Sequence, residues 1–173
     1  MQYIKLLFII GILNLLPSLN AGIYLEKPAN FNPKAAIVGC CYLHYQDKIL
    51  LLHRQDSKAE GNRWGIPGGK LDEKEPLIDA IVREVYEETG FSLDKDKIHY
   101  IGKLYIKIPN FDFVYHMVDY LEEIHHPESV KINFNEHKGF TWVTPKDALK
   151  LDLITDEDTC FEIVFGLNRG SRT

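Results

Sequence analysis

Apolar and polar positions follow regular patterns along most of this chain, and the period changes from one stretch to the next. Residues 35–44 are mostly apolar and predict a strand, and residues 48–53 predict a second, joined through Gln46-Asp47 as a hairpin. Residues 54–69 show little periodicity and carry Gly61, Gly65, Pro67, Gly68 and Gly69, so a loop is expected there. From Pro76 the pattern turns helical, with Ile78, Ile81, Val82 and Val85 at i, i+3, i+4 and i+7 forming one apolar face. Proline suits a first helical position because its missing N–H would have no partner there, and Gly90 stands where a left-handed residue ends a helix. Residues 98–108 and 113–121 return to β-branched and aromatic composition and predict strands. A short strand at 140–143 and helices near 145–150 and 156–165 complete the expectation. Pro28, Asn30, Asn32 and Pro33 mark residues 22–34 as an extended lead-in. With no internal repeat, the chain reads as one mixed α/β domain over residues 35–168.

The first residues stand apart. Residues 1–5 carry one positive charge, residues 6–16 are nearly all apolar, and Pro17, Ser18 and Asn20 break the run before Ala21 and Gly22. This layout predicts a secretory signal peptide over residues 1–21, cleaved after Ala21. Its apolar stretch is too short to span a bilayer in the mature chain. Leu19 occupies a position where a small residue is preferred, and an uncleaved anchor or a terminal helix packed on the domain are the alternatives. The expected location is therefore exported, periplasmic or secreted, with a cytoplasmic chain as the alternative.

Composition narrows the function. The 173 residues suffice for one ordinary domain, and 45% hydrophobic with 26% charged residues is the profile of a packed globular protein. A formal net charge of −5, with both signs mixed along the chain, argues against a nucleic-acid partner, which needs a basic stripe. It leaves a nucleotide substrate open, because a divalent cation supplies a positive field locally. Cys40 and Cys41 are adjacent and face opposite sides of a strand, so they do not pair with each other. Either could pair with Cys160 in an oxidising compartment, but small buried apolar residues are the simpler reading. No Cys-x-x-Cys spacing supports a thiolate zinc site.

The chemistry concentrates between Trp64 and Phe91. Glu84, Glu87 and Glu88 are spaced i, i+3 and i+4, which places three carboxylates on one side of a helix. Alone they fit a solvated acidic face as well as a cluster for a hard cation, which prefers oxygen ligands. The preceding Pro67-Gly68-Gly69 turn shifts the balance, because glycine lets backbone approach a metal or phosphate closely.

At this point the sequence resembles the Nudix hydrolases. Their box runs Gly, five residues, Glu, seven residues, then Arg-Glu-apolar-x-Glu-Glu-x-Gly-apolar. Gly69, Glu75, Arg83, Glu84, Val85, Glu87, Glu88, Gly90 and Phe91 match every one of those positions. The resemblance implies the family's fold, a mixed β-sheet sandwiched between helices, and hydrolysis of a pyrophosphate bond with Mg²⁺ or Mn²⁺. It implies Glu84, Glu87, Glu88 and the Gly68 carbonyl as metal ligands, with Arg83 orienting Glu84 and Glu75 bracing the site from the helix start. Gly69, Glu75 and Trp64 are the implied substrate-side positions. A surface ion pair for Arg83 and simple helix-dipole stabilisation for Glu75 are the plainer alternatives.

Many members supply another glutamate from a loop before the last core strand, and Glu136, six residues before Trp142, is the candidate. A solvated loop acid is its plainer role. Glu84 comes first and Glu136 second as proton acceptor. His116, His125, His126 and His137 receive no chemistry. Tyr42, Trp64, Tyr105, Phe113 and Tyr115 include candidates for stacking a base, although strand-face packing explains any one of them. Pro109 and Tyr105 lie near the spacings of family markers for ADP-ribose and dinucleoside polyphosphates. A nucleoside triphosphate, a nucleotide sugar, ADP-ribose and a dinucleotide all stay open. A non-catalytic Nudix domain that senses a nucleotide is the alternative function, and a nucleic-acid-processing enzyme is a third, disfavoured by the acidity.

Overall fold

The computed structural model describes residues 22–32, 34–108 and 111–167. The leader at 1–21, Pro109 and Asn168 therefore lie outside the described residues. The elements in chain order are β1 (Gly22–Tyr24), β2 (Ala36–Tyr45), β3 (Lys48–Arg54), β4 (Trp64–Gly65), β5 (Gly68–Lys70) and α1 (Leu77–Thr89). They continue with β6 (Ile98–Ile108), β7 (Phe111–Glu123), β8 (His137–Val143), α2 (Pro145–Ala148) and α3 (Glu157–Phe165).

Apolar residues at adjacent positions of β2 and β3 divide between the two faces of the sheet. Cys40, Tyr42, Ile49 and Leu51 meet Phe161 of α3 on one face. Cys41, Leu43, Leu50 and Leu52 meet Ile81 and Val85 of α1 on the other. A side-chain period of two produces this division, and each fully buried Leu contributes roughly 1.5–3 kcal/mol. The fold is thus the expected α/β sandwich, a mixed sheet between helices. All three cysteines are free and buried, Cys40 and Cys41 on opposite faces.

The strand order is β1-β6-β7-β2-β3-β4, with β5 added to β2 and β8 to β3. The β2–β7 pair is parallel, and the other pairs are antiparallel. The β2–β3 hairpin holds together only at its turn, through His44↔Ile49 and Tyr45↔Lys48. Beyond that point the strands part. β2 pairs with β5 from Val38↔Lys70 to Cys40↔Gly68, while β3 pairs with β4 through Leu52↔Gly65 and His53↔Trp64. The fork opens a cleft whose walls include Val38, Cys40, Leu52, Gly65 and Ile66.

Three expectations need correction. Residues 54–69 are not simply a loop, because Trp64–Gly65 and Gly68–Lys70 each add a short strand to the fork. Residues 22–34 are more than a lead-in, because β1 pairs with β6 through Gly22↔Lys107 to Tyr24↔Tyr105. Lys107 fixes the same segment by donating to the Asn30 carbonyl at 3.1 Å and to Asp112 at 2.9 Å. Pro76 also sits one position earlier than expected, extended at φ −62° and ψ 141°, just before the first helical residue. Gly90 ends α1 at φ 76°, with its N–H returning to the Tyr86 carbonyl.

Candidate active site

Helix α1 lies against the mouth of the fork. It approaches β2 closely because Gly39 has no side chain: a Cβ there would stand 2.7 Å from Ile81 Cγ1. The Gly68–Gly69 turn then fits between β2 and the charged side of α1. A Cβ on Gly68 (φ +155°) would strike the Gly39 carbonyl, and one on Gly69 would strike the Glu84 carboxylate. Bare backbone is therefore required where the turn meets the glutamates.

Arg83 organises one half of the site. Its Nε and Nη2 donate to the two oxygens of Glu75 at 2.9 and 2.8 Å, a bidentate pair. Its Nη1 donates to Glu84 Oε1 at 2.8 Å and lies 3.7 Å from Glu87 Oε2. Hydrogen bonds from Arg83, helped by the Asp72 N–H, pull the Glu75 carboxyl down to about 2, and the same bonds raise Arg83 above its ordinary value. Glu84 moves the other way. Partial burial raises its carboxyl against the Arg83 hydrogen bond, and the charges of Glu88 and Glu87 push in the same direction as burial. A cation is the natural relief for carboxylates crowded in this way.

Glu88 organises the other half. It is buried, and its Oε2 accepts the Gly68 N–H at 2.8 Å while its Oε1 meets His137 Nε2 at 2.8 Å. Glu136 stands beside them, and one ligand atom from each of Glu88, Glu136 and His137 lies within 4.8 Å of the others. Among the described residues the structure brings this trio together, whereas Arg83 holds Glu84 and the exposed Glu87 on its own side. Trp64 borders the cleft rather than lining it. Its ring stacks on His53 with centroids 4.3 Å apart, and its backbone is tied to Asp152 and Ile154. Tyr42 is fully buried, Tyr105 packs edge-on against Phe31, and Tyr115 lines the cleft with its hydroxyl turned to the buried Glu157.

His137, to which the sequence gives no chemistry, stands in this trio beside Glu88 and Glu136. Elsewhere, His116 meets the Tyr100 hydroxyl, and His125 and His126 are exposed. Nothing local separates His137 from these, since its partner Glu88 is 49 positions away.

Comparison with known proteins agrees with this geometry. The model of the NUDIX domain matches residues 33–162. A nucleoside triphosphate pyrophosphatase/Nudix hydrolase fusion protein of Bifidobacterium longum is 30% identical over 107 residues, covering 62% of this chain. The match spans 21% of that relative's own length. Among solved structures, a MutT NUDIX hydrolase from Burkholderia pseudomallei superposes with a TM-score of 0.65 at 22% identity, covering 76% of this chain and 98% of that one. The NUDIX domain of Shewanella oneidensis NrtR, solved with ADP ribose, gives 0.64 at 22% identity, covering 80% and 94%. At these identities the structural likeness speaks for the fold, and the matched domain model covers most of the chain. The chain belongs to the Nudix family.

Proposed function

We propose that this chain hydrolyses a pyrophosphate bond in a nucleoside diphosphate linked to another moiety, with Mg²⁺ or Mn²⁺. The observation that carries the reading is the meeting of a bare glycine turn with box glutamates on both sides: Gly68 N–H on Glu88, and Gly69 against Glu84. The donor set suits a hard cation. Glu84, Glu87, Glu88 and the Gly68 carbonyl would hold it, with Glu136 the additional carboxylate. When bound, such an ion neutralises the diphosphate oxygens and acidifies water at the site.

The protein's own residues do the rest. Arg83 fixes the Glu84 carboxylate and is itself fixed by Glu75, so the angle of Glu84 is set before substrate arrives. Glu84, whose carboxyl is raised, is the first candidate to take the proton as water attacks phosphorus, and Glu136 is the second. The reaction would give a nucleoside monophosphate and either a phosphorylated second moiety or pyrophosphate. A cleft of about 220 Å³ is smaller than sites that enclose a whole drug-sized ligand. Part of the substrate would project to solvent, which suits tolerance in the second moiety.

Retention of every box glutamate favours catalysis over nucleotide sensing. The test is a panel of nucleoside triphosphates, nucleotide sugars, ADP-ribose and dinucleoside polyphosphates with Mg²⁺ or Mn²⁺, products separated by chromatography. We expect nucleoside monophosphate from at least one substrate, and loss of that activity in the Glu84→Gln, Glu87→Gln double variant. Hydrolysis by the double variant at the wild-type rate would end the catalytic reading. We also propose export of the chain, from its signal-like leader. A mature chain beginning at Gly22 outside the cytosol is the expected finding, and a soluble cytosolic chain that keeps Met1 would refute it.

A further inference from the structure

A buried carboxylate is costly unless donors meet both of its oxygens. Glu88 has those donors, one from the box and one from a remote segment: the Gly68 N–H on Oε2 and His137 on Oε1. An ionised carboxylate can only accept, so the hydrogen between the pair belongs to His137 Nε2. The other ring nitrogen, Nδ1, is buried and has no protein partner among the described residues. A histidine kept for packing would normally satisfy both nitrogens. This one spends its donor on the box glutamate.

The segment that carries His137 is itself held firmly. The Gln55 N–H donates to the Glu136 carbonyl at 2.8 Å, and the Gln55 amide donates to the Phe134 carbonyl at 2.9 Å. The N–H groups of Glu136 and His137 both return to the Asn133 carbonyl. The ring therefore projects from a fixed turn at the start of β8 onto the Glu88 carboxylate, and both side chains line the cleft. The same turn places Glu136 within reach of both.

We propose that His137 is a positioning residue of the cation site, holding Glu88 in its ligating orientation and joining the Glu136 turn to helix α1. It does not touch the reacting atoms. It fixes a ligand, as partners behind metal ligands commonly do, and loss of such a partner costs about 10- to 100-fold in metal affinity. This inference rests on the cation reading above and adds a residue that the Nudix box does not contain.

The test is titration of the metal-free protein with Mn²⁺ alone, followed by the signal of free Mn²⁺ in electron paramagnetic resonance. Thermal melts in EDTA monitor folding alongside it. His137→Gln places an amide nitrogen near Nε2, His137→Asn places one near Nδ1, and His137→Leu places none. Gln should bind Mn²⁺ within about threefold of wild type, while Asn and Leu, compared as folded protein, should bind about 10- to 100-fold more weakly. Asn binding as well as Gln, or all three variants binding like wild type, would overturn the proposal. Should Leu fail to fold, the Gln and Asn pair decides alone. A wild-type protein that binds no Mn²⁺ would instead remove the cation reading itself, and this inference with it.

Discussion

Arg83 shows how much one side chain can arrange. Its planar guanidinium takes Glu75 with one fork and Glu84 with the remaining nitrogen, a division that the single ammonium of lysine does not reproduce. Glu75→Gln breaks the bidentate pair while leaving Arg83 on Glu84, so the error it introduces is angular. We expect kcat/KM to fall by roughly 10- to 100-fold with the melting midpoint little changed, since small misplacements at a reacting centre carry costs of that order. Steady-state kinetics beside a thermal melt checks both halves. Glu157 makes a different prediction. It is fully buried at the start of α3, its Oε1 has no partner among the described residues, and burial pushes its carboxyl up to about 8 against a weak hydrogen bond from Tyr115. In the unfolded chain the same group titrates near 4.5. Between those values the unfolded state has released a proton that the folded state keeps. Stability from Glu157 is therefore full below about 4.5 and is lost as pH rises toward about 8, by at most roughly 1.4 kcal/mol per pH unit. Melts from pH 5 to pH 8 should show wild type losing stability relative to Glu157→Gln, and parallel curves would refute the assignment. Glu157 was not legible in the sequence, where it is one acid among several near a helix start. Its burial depends on Tyr42, Cys40 and Tyr115, which arrive from β2 and β7.

Helix α1 was legible because its signals are local: an apolar period of 3.6, a proline before it and a glycine after it. The short strands β4 and β5 were not. Glycine and proline dominate that stretch, and it becomes extended only because β2 and β3 diverge and offer ladders on which to pair. β1 escaped for the same reason, since its partner β6 lies some eighty positions along the chain. The junction of α1 with β5 carries its own prediction. Gly69→Ala drives a methyl group into the Glu84 carboxylate, with no demand on the core. Activity should fall at least about 100-fold while circular dichroism and the melting curve stay near wild type. Gly39→Ala acts one layer deeper, because Ile81 must move and the whole helix with it. It should lower stability and activity together, by roughly 1–3 kcal/mol in the melt, the usual range for overpacking. If Gly39→Ala left both unchanged, the account of how α1 is seated would be wrong.

For the molecule as a whole, the division of labour follows from the two faces of the sheet. Helix α1 supplies the box carboxylates and the α3 face lends Cys40, Ile66 and Tyr115 to the cleft, while Phe161 packs at the centre of that face without lining the cleft. Phe161→Ala should therefore cost about 3–5 kcal/mol, in one cooperative transition, while activity per folded molecule stays near wild type. Among the described residues no helix is long and apolar enough to cross a membrane. Across it, the Nudix box supplies one side of the site and the turn before β8 supplies the other. The box announced itself in the sequence through nine fixed positions, whereas the pairing of Glu88 with His137 needed the fold to close over 49 residues. The most direct measurement on the whole account is anomalous diffraction from crystals soaked in Mn²⁺. It should place the cation beside the Gly68–Gly69 turn, in contact with at least two of Glu84, Glu87 and Glu88. A cation held elsewhere, with those three carboxylates free of it, would contradict the account.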